Sequence, residues 1–410
     1  MIDSLAATAA DHMRRLCVDL PTRRVGSAGN RAATAYFASV AASHGFAIEQ
    51  PEFECLDWQA DGAALAAGDD SFEVLPGPYS PGCDVSGPLR VVEAVEQLQG
   101  ADLSDAIVLL RGAIAREQLM PKNFPFYNPD EHRRIIAALE SARPRAIVTA
   151  TGHDPAMAGA LYPFPLIEDG DFDIPSAYMT DEEGARLAAL DGQTVSLTIR
   201  AQRIPSTGCN TVARRGPAGG QRIVFFAHID AKAGTPGAID NASGVTVLLL
   251  LAGLLAGYQG GVEIELVALN GEDYYSAPGE QLYLARNADR FGSVALGINL
   301  DGLGYRRGRI AYSLYECPPD LAATARDVFG AREEFVEGEA WYQGDHMLFV
   351  LNGRPALALT SELAAELMTE IIHTPRDTVE VVDPARLAQA ALALRDLLVR
   401  LDATLAPGRA

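Results

Sequence analysis

Cysteine is sparse: five in 410 residues, Cys17, Cys55, Cys83, Cys209 and Cys317, odd in number and without CxxC spacing. That excludes a disulfide framework and a cysteine metal site, and it fits a reduced compartment. Positive charge is also short, with 33 Lys+Arg against 54 Asp+Glu and basic clusters no longer than Arg14-Arg15 or Arg306-Arg307. Nucleic acid and anionic membrane are therefore poor partners. No apolar run is long enough to span a bilayer. The most apolar stretch, VTVLLLLAGLLAG from Val245, falls below the roughly 20 residues required and contains glycines, so a buried helix is expected. The first segment carries Asp3, Asp11 and His12 where a secretory leader needs a basic start and an unbroken apolar core. A cytoplasmic location is the expectation. With 48% hydrophobic residues the chain has material for one large or two moderate cores.

Two textures alternate along the chain. Up to about residue 58 it reads as mostly helical, with Ser27 capping a helix through Ala33, Phe37 and Val40 that stops at Gly45, before AIEQPEFE alternates as a strand. From about 60 to 204, short β-like runs (SFEVL, LRVVEAV, AIVLL, RAIVTA, SAYMT, TVSLTIR) sit between Gly, Pro and Asp clusters, with helices near 130–142 and 181–190. Beyond Cys209 continuous apolar strands (RIVFFAHID, VEIELVALN, VALGINLDG, RIAYSLYE, PALALTS) alternate with helices, the last from about 384 to 403. The expected fold is α/β, a mostly parallel mixed sheet with helices on both faces. Residues 1–59 and 205–410 would form one discontinuous domain interrupted by a β-rich insert, 60–204.

In parallel sheets ligands bind beyond the carboxyl ends of the strands, and a series of titratable residues falls at such ends. His228 and Asp230 end one strand, Glu272 and Asp273 follow the next, and Asp301 ends the third. Asp240 lies in the glycine-rich turn GTPGAIDNASG, which opens into a helix, and His373 lies in HTPRDT. Histidine nitrogen and carboxylate oxygen suit zinc and similar ions, and two ions can share one bridging carboxylate. In His228-Ile229-Asp230 the outer side chains point the same way, so Asp230 can hold the second nitrogen of a ligating His228. Asp240 suits the bridge. In the adjacent pair Glu272-Asp273, one carboxylate can bind metal and leave the other free as a base. Each element alone has a blander meaning: HxD as a surface hydrogen bond, DNASG as an N-cap, Glu-Asp as a solvated loop, HTPRDT as a turn capped by Asp377. Their conjunction in this order favours the metal site.

These AHID, DNASG, GED, NLDG and HTPRDT elements resemble those of the M28 zinc exopeptidases, which include bacterial leucyl aminopeptidases and the glutamate carboxypeptidase group. RRVGSAGNRAATAYFASVAASHGF resembles the family's opening helical segment, and GDHMLFVLNGRPALAL its SDH-containing stretch. The resemblance implies two zinc ions, one on His228 and Asp301 and one on Asp273 and His373, with Asp240 bridging and Glu272 as general base. It also implies a cis peptide at Asp240-Asn241. Two positions depart from the pattern. Asp273 stands where Glu is frequent, and Ile372 stands where some members carry a Tyr before the last His. An oxyanion-stabilising hydroxyl must then come from elsewhere, with Tyr342 as the candidate and plain packing beside Trp341 as its bland reading. Asp345 and His346 occupy the family's DH step. His12, His44, His132 and His153 lie outside any motif and read as surface or structural.

The insert resembles a protease-associated domain at DLSDAIVLLRG and IPSAYMTDEEGARL. Such a module usually covers the cleft and limits substrate size.

The implied function is hydrolysis of N-terminal residues from peptides, with a peptide as the substrate partner and homo-oligomerisation left open. A carboxypeptidase or amidohydrolase of the M20 type shares the metal order but places its insert later, between the acidic pair and the final His. Glutaminyl cyclase shares the fold with one zinc, and a non-catalytic binding protein would have lost ligands or base. A carboxypeptidase would need a cationic clamp, for which Arg306, Arg307, Arg309, Arg354 and Arg376 are candidates.

Overall fold

The computed structural model describes residues 1–151, 170–274 and 276–405. The chain divides into two compact units, Met1–Cys55 with Thr207–Ala410, and Leu56–Ser206.

In the first unit an eight-stranded sheet runs in the order Ala47–Glu49, Thr211–Arg215, Glu263–Leu269, Arg222–His228, Val294–Leu300, Ala356–Ser361, Ile310–Tyr315, Phe335–Glu337. The four central strands are parallel, and antiparallel pairings flank them on either side. Most of their residues are apolar, and nearly all are buried, as strands covered on both faces require; Arg222 and Glu265 are buried charges that pair with each other at 2.8 Å. Thr211–Arg215 and Phe335–Glu337 are too short, and the former too basic, to stand out by pattern.

One face packs against Ile2–Arg14, Ala28–Ser43, Ser243–Leu254 and Pro384–Leu405. Ser243–Leu254 holds the apolar run and is buried on all sides from Ser243 to Ala252, the condition for a helix with no polar face. On the other face Phe349 stacks on Phe226 at 4.7 Å between centroids. Gly297 makes room for it, since a Cβ there would lie 2.6 Å from the Phe349 ring. Ser27 caps Ala28–Ser43 by accepting from the Asn30 N–H.

The second unit has its own eight-stranded mixed sheet and two apolar clusters, one built on Leu109, Val148 and Leu197, the other on Val108, Ile147 and Leu139 of the helix Asp130–Ala142. No described helix is long and apolar enough to cross a membrane.

Candidate metal centre

Parallel register sets the site. His228 pairs with Leu269, and Phe226 pairs with Asn299. The polar residues that follow these strands therefore emerge along one edge: His228 and Asp230, then Glu272 and Asp273, then Asp301. Asp240 comes from the turn before Ser243–Leu254 and His373 from the turn after Ala364–Glu370. The Asp240-Asn241 peptide is cis.

His228 Nε2 lies 3.1 Å from Asp240 Oδ1 and 3.6 Å from Asp301 Oδ1. His373 Nε2 lies 2.9 Å from Asp240 Oδ2 and 3.0 Å from Asp273 Oδ1. Two triads result, His228/Asp240/Asp301 and Asp240/Asp273/His373, each with donor atoms within 4.8 Å of one another and with Asp240 common to both. One Asp240 oxygen faces each triad, the disposition of a bridging ligand.

The residues fit divalent ions. Among the described residues, His228 Nε2 and Asp273 Oδ2 are buried without a hydrogen-bond partner, an expensive state for polar atoms that metal coordination would relieve. His228 Nδ1 lies 3.2 Å from the main-chain oxygen of Asp230; as the Nδ1–H tautomer it donates there and leaves the Nε2 lone pair toward the triad. Burial opposes a charge on His373, yet Asp273 and Asp240 push it up to about 10. A field that holds a proton this firmly attracts other cations as well.

Asp230 differs in detail from the sequence expectation. Its main-chain oxygen, not its carboxylate, holds His228; the carboxylate lies 3.8 Å from Nδ1. It accepts instead from the backbone N–H of Gly271 at 2.8 Å and of Asp273 at 2.9 Å. Two charge-assisted backbone bonds outcompete a single imidazole contact, and they tie the first strand end to the acidic turn beside it. Tyr342 is 61% exposed and its ring packs edge-on against Tyr315, while Trp341 rests on His346. His12 is buried with Nδ1 2.6 Å from the Tyr36 hydroxyl, and His132 Nδ1 accepts from the Met120 N–H; His153 lies outside the described residues.

Two braces escaped the sequence reading. Arg23 is fully buried and donates to the main-chain oxygens of Leu16, Ile229, Pro236 and Gly237. Asp377, read only as a turn cap, accepts from the backbone N–H of Ile239 at 2.7 Å and of Asp240 at 3.0 Å. Together they fix both sides of the loop that presents Asp240. Gly244 completes this packing: a Cβ would lie 2.1 Å from the Leu300 oxygen and 2.6 Å from Asn241 Oδ1. Gly244→Ala is therefore expected to destabilise the fold by about 1–3 kcal/mol and to weaken metal retention, as thermal unfolding and elemental analysis would read.

Residues 210–398 match the profile of Peptidase family M28. That segment belongs to this family. A probable lipoprotein aminopeptidase of Mycobacterium tuberculosis, LpqL, is 26% identical over 296 residues, 69% of this chain and 55% of that one. The chain thus aligns with about half the length of this curated relative. The fold is shared with an aminopeptidase from Aneurinibacillus sp. strain AM-1, at TM-score 0.75 and 20% identity over 96% of this chain and 93% of that one. It is shared also with a zinc aminopeptidase of Bacillus subtilis, at TM-score 0.73 and 17% identity over 97% and 95%. The M28 segment begins beside the Asn210–Thr211 step and contains all six residues of the constellation, His228, Asp240, Glu272, Asp273, Asp301 and His373.

Proposed function

We propose that this chain is an M28 aminopeptidase that removes N-terminal residues from peptides with a pair of divalent ions, most simply zinc. One observation supports the reading above the others: the two His/Asp triads that share Asp240. His228 and Asp301 would hold one ion, Asp273 and His373 the other, and Asp240 both. Bound there, such ions bring the pKa of a coordinated water toward about 7 and polarise a substrate carbonyl.

The chain supplies the remaining chemistry. Glu272 stands beside Asp273 but outside both triads, free to take a proton from the attacking water and return it to the leaving amine. Burial first, then the charges of Asp273, Asp301 and Asp345, push Glu272 well above the usual glutamate range, while His228 opposes them. A carboxylate so placed is a ready proton acceptor. The surplus of carboxylates around the triads also suits a substrate ammonium better than a substrate carboxylate. Three of the five arginines that could clamp a C-terminus are already engaged: Arg307 with Glu366, Arg309 with Glu362, and Arg354 with the Val294 oxygen. The second triad disfavours a one-zinc cyclase, and an intact ligand set disfavours a binding protein. The unit Leu56–Ser206, with its own sheet, is read as an accessory module of the protease-associated type.

Zinc titration of the metal-stripped protein tests the pair of ions. Release of a free amino acid from an unblocked peptide is expected to rise until two equivalents are added. Full activity at one equivalent, or none at any, would remove the dinuclear reading.

A further inference from the structure

One group of charges in the first unit takes no part in the chemistry above. A cavity of about 40 Å³ opens where the edge strand Ala47–Glu49, the strand Thr211–Arg215 and the end of the helix Pro278–Asn287 meet. Glu49, Asn210, Arg214, Arg286, Asn287 and Arg290 line it, all within the first unit. That volume has room for a few waters or one small polyatomic ion, not for a peptide or a nucleotide. Three of these lining side chains are arginines and one is a carboxylate. The charges paired to them from behind are Arg222, Glu263 and Glu265, all buried. Four cations thus meet three anions, a local positive surplus in a chain whose net charge is -21.

The existing bonds leave donors over. Glu49 accepts from Arg286 Nη2 and Arg214 Nη1, while Glu265 accepts from Arg214 Nε at 2.9 Å and Arg222 Nη1 at 2.8 Å. The Arg290 guanidinium makes no hydrogen bond among the described residues. It reaches Glu265 only at 3.8 Å and Glu263 at 3.9 Å. Nε and Nη1 of Arg286 and Nη2 of Arg214 likewise meet no protein acceptor among the described residues. The two amides add no donor, because both ends of each are engaged. Asn210 accepts from the Asn270 N–H and donates to the Gly279 oxygen, and Asn287 accepts from Arg222 and donates to the Tyr283 oxygen. Planar forks of N–H donors match the oxygens of phosphate and sulfate. The Arg286 and Arg290 side chains are 51% and 41% exposed, which leaves the cavity open to an ion from solvent. The helix presents its C-terminal end here, which opposes an anion, so the guanidinium groups must supply the attraction.

We propose that this cavity binds one small oxyanion of the phosphate or sulfate class, held by Arg290 with the uncommitted N–H groups of Arg286 and Arg214. The Arg214 bond holds the Glu49 carboxyl below the usual glutamate range, so Glu49 stays charged and limits the affinity. Asn210 links the site to the metal centre without making it part of it. Its amide ties Asn270, two residues before Glu272, to Gly279 at the start of the helix whose far end carries Arg286. An ion that joins the strand Thr211–Arg215 to this helix stabilises the folded chain according to its occupancy.

The test is isothermal titration calorimetry of the full chain with sodium phosphate and, separately, sodium sulfate, ionic strength being held constant with sodium chloride. Saturable binding of one ion per chain is expected. Arg290→Gln should weaken it roughly 10–100-fold, the worth of a lost charge-assisted hydrogen bond. Its circular dichroism should match the parent, because the Arg290 side chain makes no hydrogen bond that holds the fold. Glu49→Gln removes the competing carboxylate and should tighten binding. Asp240→Ala, which dismantles the metal centre, should bind the ion as the parent does. No saturable binding above the chloride background, or equal affinity in wild type and Arg290→Gln, would overturn the site. Loss of binding in Asp240→Ala would place the ion on the metals and overturn it too. No peptide enters these measurements, so the site stands or falls separately from the aminopeptidase reading.

Discussion

Glu272→Gln is expected to keep both metal equivalents and to hydrolyse peptides about 10²–10⁴-fold more slowly than the parent, the usual worth of a positioned general base. That range corresponds to about 3–5 kcal/mol of transition-state stabilisation. The separation of binding from turnover follows from geometry, because Glu272 belongs to neither triad while its neighbour Asp273 belongs to one. Glutamine matches the volume of glutamate but cannot take the proton. Elemental analysis and peptide hydrolysis measured on the same sample decide the point. Parent-like activity would remove Glu272 as the base, and loss of metal would make it a ligand.

Asp240→Ala is expected to have the larger effect on the metals. His373→Ala should lose one equivalent and leave His228, Asp240 and Asp301 as a set. Asp240→Ala takes one donor from each triad at once, and zinc content should fall toward zero with activity at background. The protein should remain folded, because Asp377 holds the Asp240 loop through main-chain N–H groups that the substitution leaves in place. The loss in affinity should exceed the roughly 10–100-fold that removal of an outer orienting group costs. Circular dichroism would verify the fold. Retention of one equivalent would show that Asp240 serves a single ion.

What the sequence disclosed and what it hid follow from the reach of each interaction. His228 and Asp301 were legible because each ends an apolar run that can only be a buried parallel strand. Asp240 was legible because its glycine-rich turn opens a helix with no polar face. The resemblance to M28 then joined His373, more than 70 residues beyond Asp301, to the others, which periodicity alone could not do. Arg23 left no signal: it lies more than 200 residues from the Ile229, Pro236 and Gly237 oxygens it holds, and nothing in RRVGSAGN marks which arginine is buried. Asp377 carried a local reading as a cap, and its distant backbone partners overrode it. Asp230 was placed on the correct imidazole nitrogen, but the main-chain oxygen makes the contact because the carboxylate is engaged by Gly271 and Asp273. Glu280 lacked any motif, and only its complete burial distinguishes it from a solvated helix residue.

The aminopeptidase reading is tested most directly by mass spectrometry of short peptides in free-amine, N-acetylated and C-amidated forms, incubated with the zinc-loaded protein beside Glu272→Gln. Stepwise loss of residues from the N-terminus, blocked by acetylation, indifferent to amidation and absent in Glu272→Gln, is the predicted result. Loss from the C-terminus, or no cleavage of any form by protein carrying both zinc equivalents, would contradict it.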